Sequence, residues 1–111
     1  MKAEPRPKTL EGTTHKISTS CGSLYVVVNQ HDGKAFEVFA KLGKAGGCSA
    51  CTTEALTRVI SVGLRAGVDL NEYVHTLENI GCISPTFSDG EKINSCPDAI
   101  AKVLKQYLKE E

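Results

Sequence analysis

The pattern of hydrophobic and polar positions is strand-like up to residue 42 and helix-like after it. Thr, Val, Ile and Tyr are frequent in 14–19 and again in 23–29, as is typical of strands. The segment 36–42 alternates apolar and polar residues, and the turn signal Asp32-Gly33 precedes it. The pattern predicts a three-stranded antiparallel sheet whose last two strands form a hairpin.

Beyond residue 47 the apolar residues recur with a helical period. A first helix is predicted from the i, i+3, i+4 and i+8 spacing of Leu56, Val59, Ile60 and Leu64, and Gly67 ends it. A second helix opens at Asp69, which has capping-box spacing to Glu72, and should stop near Gly81. After a loop that contains Pro85 and Gly90, the segment 95–98 (Ser-Cys-Pro-Asp) opens a third helix, since proline suits the first turn and aspartate favours the helix dipole.

This order of elements predicts an α+β fold in which three helices pack on one face of the small sheet. With 111 residues, of which 41% are hydrophobic, the chain can bury one modest core. Residues 1–12 are polar and contain two prolines, so we predict an extended N-terminal arm there. A single domain is predicted over 13–109.

Charge and hydropathy exclude several classes of function. Thirteen basic residues balance thirteen acidic ones without clustering, which argues against binding to nucleic acid or to an anionic membrane. The longest apolar run, 24–28, is too short to span a bilayer, and the first dozen residues lack the apolar stretch of a secretory signal. We therefore expect a cytoplasmic protein.

The five cysteines carry most of the chemical information. An odd number fits a disulfide framework poorly, and in a reducing compartment such residues are metal ligands or redox thiols more often than crosslinks. Each lies at the boundary of a predicted element, whereas a core cysteine is expected within an apolar stripe. Cys48 and Cys96 stand at predicted helix starts, where free N–H groups and the dipole stabilise a thiolate.

Spacing alone does not decide between these two chemistries. Cys48 and Cys51 are spaced like half a zinc site or like a redox pair, and Gly46-Gly47 before them permits a tight turn. Cys51, one turn into its helix, is interpreted more simply as a packed small residue. Cys21 and Cys82 are dispersed, and their spacing favours neither role.

No catalytic residues are identified in this chain. It has no local Ser-His-Asp or Cys-His signature and no phosphate-binding glycine motif, so catalysis by the chain alone is unsupported. We interpret six other candidates as surface residues or solvated charges and not as ligands: His15, His31, His75, Lys41, Lys44 and Arg65.

Several motifs together resemble those of the TSCPD domain. The segment 94–98 reads Asn-Ser-Cys-Pro-Asp, with Asn94 where the name-giving motif has Thr. The likeness spans roughly Pro5 to Leu108 and includes 6–12, 21–26, 36–39, 42–48, 60–68 and 80–82. Such domains occur at the C-terminus of adenosylcobalamin-dependent (class II) ribonucleotide reductases and as small stand-alone four-cysteine proteins.

The resemblance implies a site and a partner. The four-cysteine pattern of the small members falls on Cys21, Cys48, Cys82 and Cys96, which implies a metal site, with zinc as the expected ion, and leaves Cys51 outside it. The implied function is an accessory domain associated with the catalytic subunit of a class II ribonucleotide reductase in deoxyribonucleotide synthesis.

Two other functions stay open at this point. One is a thiol-redox module in which Cys48 pairs with Cys51 or Cys96. The other follows from a weaker likeness in layout to iron–sulfur cluster assembly scaffolds, which covers Cys21, Cys48 and Cys96. That likeness implies a carrier of an iron–sulfur cluster or of zinc.

Overall fold

The chain folds into an α+β structure with two antiparallel sheets. The computed structural model describes residues 2–43, 47–82 and 85–108. The first sheet has the strand order β1-β2-β3, from β1 (Glu11–Thr19), β2 (Gly22–His31) and β3 (Lys34–Leu42). The helices are α1 (Gly47–Arg65), α2 (Leu70–Leu77) and α3 (Cys96–Lys105), and a small second sheet of β4 (Thr86–Ser88) and β5 (Glu91–Ile93) precedes α3. The predicted three-stranded sheet and three helices are confirmed.

Both hairpin turns use the same pair of residue types. Asp32 and Gly33 join β2 to β3 with φ of 53° and 75°, the two positive values that a tight type I′ turn requires. Asp89 and Gly90 join β4 to β5 with φ of 50° and 82°. The sequence interpretation of this second region as a plain loop is wrong, because strands of three residues are too short to show a clear alternation.

The main core lies on one face of the first sheet. Leu24, Val26 and Val28 alternate along β2 and are fully buried, whereas Tyr25 between them is 37% exposed. Helix α3 contacts β1 and β2, and α2 packs on α3. Burying each such side chain contributes about 1.5–3 kcal/mol. The helical part of the core consists mainly of Ile60, Val74, Leu77, Ala99, Ile100, Ala101, Val103 and Leu104.

Helix α1 covers the free edge of strand β3. The Ser61 hydroxyl accepts a hydrogen bond from the Val38 N–H and donates one to the Val38 carbonyl, both at 2.9 Å. The buried side of α1 also includes Thr53 and Thr57, whose hydroxyls donate to carbonyls of their own helix. The predicted apolar stripe is therefore wrong at Val59, whose side chain is 64% exposed.

The N-terminal residues are tied to the sheet. The Arg6 Nε lies 3.0 Å from both carboxylate oxygens of Glu37, which is almost completely buried, and the Asn29 amide donates to the same carboxylate at 2.8 Å. The Glu4 N–H donates to the Arg65 carbonyl at 3.0 Å. Strand β1 begins at Glu11; the division into an arm (1–12) and a domain (13–109) stays a prediction.

Across the described ranges, no helix combines the length and the apolar character needed to cross a membrane.

Candidate functional site

The cysteines lie at the starts of elements or in the connections between them. Cys21 is in the turn between β1 and β2, and Cys82 follows α2. Cys48 and Cys51 are in the first turns of α1, and Cys96 is the first residue of α3. All five are free thiols. The predicted placement at element boundaries is confirmed, except that Cys51 lies one turn inside its helix.

The Thr19 hydroxyl links Cys21 to Cys96. It accepts a hydrogen bond from the Cys21 N–H at 3.2 Å and donates to the Gly22 carbonyl at 2.8 Å, which fixes the turn after β1. The Cys96 Sγ lies 3.7 Å from the same oxygen. The turn that carries Cys21 therefore lies directly against the start of α3.

Two hydrogen bonds hold Cys82 beside the segment that precedes Cys96. The Cys82 N–H donates to the Asn94 carbonyl at 3.0 Å, and the Ser95 hydroxyl donates to the Ile80 carbonyl at 2.5 Å. Ser95 is also the N-cap of α3, since its oxygen accepts from the Asp98 N–H at 3.1 Å, and the helix starts within the predicted segment 95–98.

Asp98 holds the same two segments together through hydrogen bonds to its carboxylate. Its fully buried carboxylate accepts from the Asn79 N–H at 2.7 Å, from the Asn94 N–H at 2.9 Å and from the Asn94 side-chain amide at 3.0 Å. Lys102 adds an ion pair at 2.9 Å. Burial of the Asp98 carboxyl opposes ionisation, but hydrogen bonds from the Asn94 backbone, Lys102 and the Asn79 backbone outweigh it and lower the pKa of Asp98.

The same contact explains where α2 ends. The helix stops at Leu77, before the predicted end near Gly81. Asn79 has a φ of 65°, and its N–H is taken by Asp98 instead of by an intrahelical carbonyl. The residues after the helix can then turn back toward α3 and bring Cys82 with them.

The Cys96 thiol lies close enough to Cys21 and Cys82 for their charges to affect its ionisation. Burial is the largest cause that raises the pKa of the half-buried Cys96 thiol, while its contact with the Thr19 hydroxyl lowers it. The negative charges that Cys21 and Cys82 carry when ionised raise the pKa of Cys96 further. A group of thiols that repel one another when ionised is stabilised by a cation.

The residue that follows Cys48 contacts the turn that carries Cys21. The Ser49 hydroxyl lies 3.5 Å from the Cys21 Sγ, so the start of α1 adjoins the turn after β1. Cys48 is exposed, and the Cys51 thiol, also exposed, donates to the Cys48 carbonyl at 3.4 Å. The interpretation of Cys51 as a packed residue is therefore wrong. The proposed role of Gly46 in the preceding turn lies outside the described residues.

The donor chemistry fits zinc, although the ligands are not closed around an ion position. Within 2–43, 47–82 and 85–108, no group of three His, Cys, Asp or Glu side chains already has metal-binding geometry. Four cysteine sulfurs are nevertheless the ligand types of a structural zinc site.

The other candidates from the sequence are placed elsewhere. His31 and His75 are exposed, as expected, but His15 is half-buried and its Nε2 lies 2.6 Å from the Tyr107 hydroxyl. Lys41 is exposed, Lys44 lies outside the described residues, and Arg65 is half-buried, so its interpretation as a solvated charge is wrong. Of the positioning residues, Thr19 had no sequence signal, whereas Asp98 stood in the motif but was interpreted only through the helix dipole.

The fold and the neighbouring thiols define a small α+β domain with a cysteine cluster. The family model of the TSCPD domain matches residues 1–108, and the chain belongs to that family. TSCPD domains are associated with ribonucleotide reductases. No curated protein and no solved structure matches the chain.

Proposed function

We propose that this chain is a zinc-binding accessory module of an adenosylcobalamin-dependent ribonucleotide reductase, with Cys21, Cys48, Cys82 and Cys96 as the ligands. The observation that carries the proposal is that hydrogen bonds bring the turn with Cys21 and the segment with Cys82 against the start of α3 at Cys96, so that three separate parts of the chain meet there. The Ser49–Cys21 contact supports the choice of Cys48 as the fourth ligand, since it brings the start of α1 against the turn that carries Cys21.

A zinc ion held by four thiolates has no open position, so it supplies a structural crosslink and not a Lewis acid. The chain's own part is positioning: Thr19, Ser95 and Asp98 hold three of the cysteine-bearing segments together without metal. The expected function is therefore a rigid surface for assembly with the reductase in the cytoplasm, and the chain performs no radical chemistry itself.

The metal site is tested on protein that was purified anaerobically without a tag. Mass spectrometry should find about one zinc per chain, and thiol titration should find four protected thiols that react after chelation. Cys96→Ser should lose most of the zinc. Cys51→Ser is the matched control and should retain it. Five freely reactive thiols and no metal would refute the site.

The redox alternative has one observation in its favour: Cys48 and Cys51 are both exposed at the start of α1. It predicts a disulfide between them under mild oxidation and reduction by a dithiol. If zinc protects the Cys48 thiol from reaction, that result would argue against the redox function. Visible absorbance of the anaerobic protein separates zinc from an iron–sulfur cluster, since only the latter is coloured.

The partner is tested by affinity capture of the class II catalytic subunit from an extract and then with purified components. We expect binding by the zinc-loaded protein and at least tenfold weaker binding after chelation. Binding of equal strength before and after chelation would show that association with the catalytic subunit does not depend on zinc.

A further inference from the structure

An open pocket lies at the end of the molecule remote from the cysteines. Strand β2 begins next to Cys21 and ends at His31, and α1 begins next to Cys48 and ends at Arg65. Helix α3 begins at Cys96, and Tyr107 follows its last turn. The far ends of these three elements surround a cavity of about 1110 Å³.

Arg65 in the wall of this pocket lacks a counter-ion. Its Nε is buried and has no hydrogen-bond partner, and no carboxylate among the described residues forms an ion pair with its guanidinium. An arginine keeps its charge at every physiological pH, and a buried N–H donor without a partner is costly. Arg58, seven residues earlier on the same helix, is by contrast exposed and paired with Glu54 at 3.1 Å.

Three acidic residues line the pocket, Glu4, Asp32 and Asp69, and none of them forms an ion pair with Arg65, although the Glu4 N–H donates to the Arg65 carbonyl. The Asp69 side chain caps α2 by accepting from the Asn71 N–H at 3.0 Å, and Asp32 lies 3.7 Å from the His31 ring. Two further cations, Lys2 and Lys34, line the pocket. The wall also contains apolar residues: Ala35, Phe36, Leu64, Val68, Leu70 and Leu108.

We propose that this pocket binds a small organic anion, in which a phosphate or carboxylate group meets Arg65 and an apolar or aromatic body lies against the opposite wall. A guanidinium recognises either oxyanion through two parallel N–H···O bonds. The size of the pocket and its mixed walls suit a mononucleotide-sized molecule better than an inorganic ion. The proposal does not depend on the metal site.

The test is a titration followed by amide NMR, with four probes that separate the parts of the ligand. Adenosine monophosphate carries phosphate on an aromatic body, and benzoate carries carboxylate on one. Inorganic phosphate has no body, and adenosine has no charge. At least one of the first two should bind at least about tenfold more tightly than either of the last two, with shifts at Gly33, Gly67 and Leu70.

Two variants of equal charge test the role of Arg65. Arg65→Gln should weaken binding of the preferred probe by about tenfold or more, whereas Arg58→Gln, the matched control on the same helix, should leave it unchanged. Lys34→Gln changes an exposed turn residue and should weaken binding by about threefold. This variant still tests the positive charge of the pocket if Arg65→Gln folds poorly.

Four results would overturn the proposal. They are no shifts at the pocket with any probe, inorganic phosphate binding as tightly as the preferred organic anion, adenosine binding as tightly as that anion, and equal loss in the Arg65 and Arg58 variants. The organic anion that binds more tightly shows which combination of oxyanion and body the pocket prefers.

Discussion

Asp98 shows how a single buried side chain can organise a binding site that it does not itself enter. Its carboxylate receives backbone N–H groups from Asn79 and Asn94 and the ammonium group of Lys102. The segments that it joins carry Cys82 and Cys96. Asp98, the last residue of the family motif, therefore positions Cys96, the third residue of that motif. The side-chain amide of Asn94 donates to Asp98 where the Thr of the name-giving motif would offer a hydroxyl.

Asp98→Asn should lower the free energy of unfolding by about 3 kcal/mol, because one acceptor becomes a donor and the half-buried Lys102 loses its charged partner. Urea denaturation measures the change. Asp89→Asn is the control: this exposed turn residue has a φ of 50°, which asparagine also adopts, so the change should be within about 0.5 kcal/mol. Equal effects of the two substitutions would contradict the anchoring role of Asp98.

At the scale of elements, α1 is adapted to a strand edge and not to a sheet face. Its buried positions include Thr53, Thr57 and Ser61, and the Ser61 hydroxyl satisfies both polar backbone groups of Val38. This covers the edge of β3 that would otherwise be open to pairing with another chain. It also explains why an apolar period predicted the helix correctly but assigned Val59 to the wrong side.

Ser61→Ala should destabilise the protein by about 2 kcal/mol, since it leaves the Val38 N–H and carbonyl buried without partners. Thr52→Ala, which removes an exposed hydroxyl from the same helix, should be neutral or slightly stabilising because alanine favours a helix. Hydrogen exchange at the Val38 amide should accelerate in the first variant alone. Unchanged exchange at Val38 would show that another group covers the edge.

At the scale of the whole molecule, the long elements run between two different ends. The cysteines lie at one end and the pocket with Arg65 at the other, with the core of Leu24, Val26 and Ile100 between them. A metal would therefore brace segments that are distant in sequence at one end only. The pocket should keep its shape whether or not the ion is bound.

Chelation of the zinc-loaded protein should lower its thermal midpoint by about 10 °C or more, because metal binding contributes to folding free energy. Hydrogen exchange should increase in 19–22 and 79–82 and stay constant at 32–33 and 67–70. The Cys96→Ser variant provides the control, as chelator should leave its midpoint unchanged. A uniform increase in exchange over the whole chain would contradict a local brace.

The sequence by itself determined the features that depend on neighbouring residues. The order of the first three strands and the three helices, the Asp32-Gly33 turn, the cap at Asp69, the start of α3 at 95–98 and the placement of cysteines at element boundaries all follow from side-chain period and backbone preference. The short β4–β5 hairpin carried the same Asp-Gly signal, but its strands offered no period to support it.

Only the tertiary structure decided which element ends meet. The Thr19–Cys96 contact joins residues 77 positions apart, and the Ser61–Val38 pair joins residues 23 positions apart. The half-buried position of Arg65 likewise depends on how α1 packs against its surroundings. Such contacts arise from the packing of whole elements around a shared core, and the local period of a sequence carries no information about which distant segments that packing brings together.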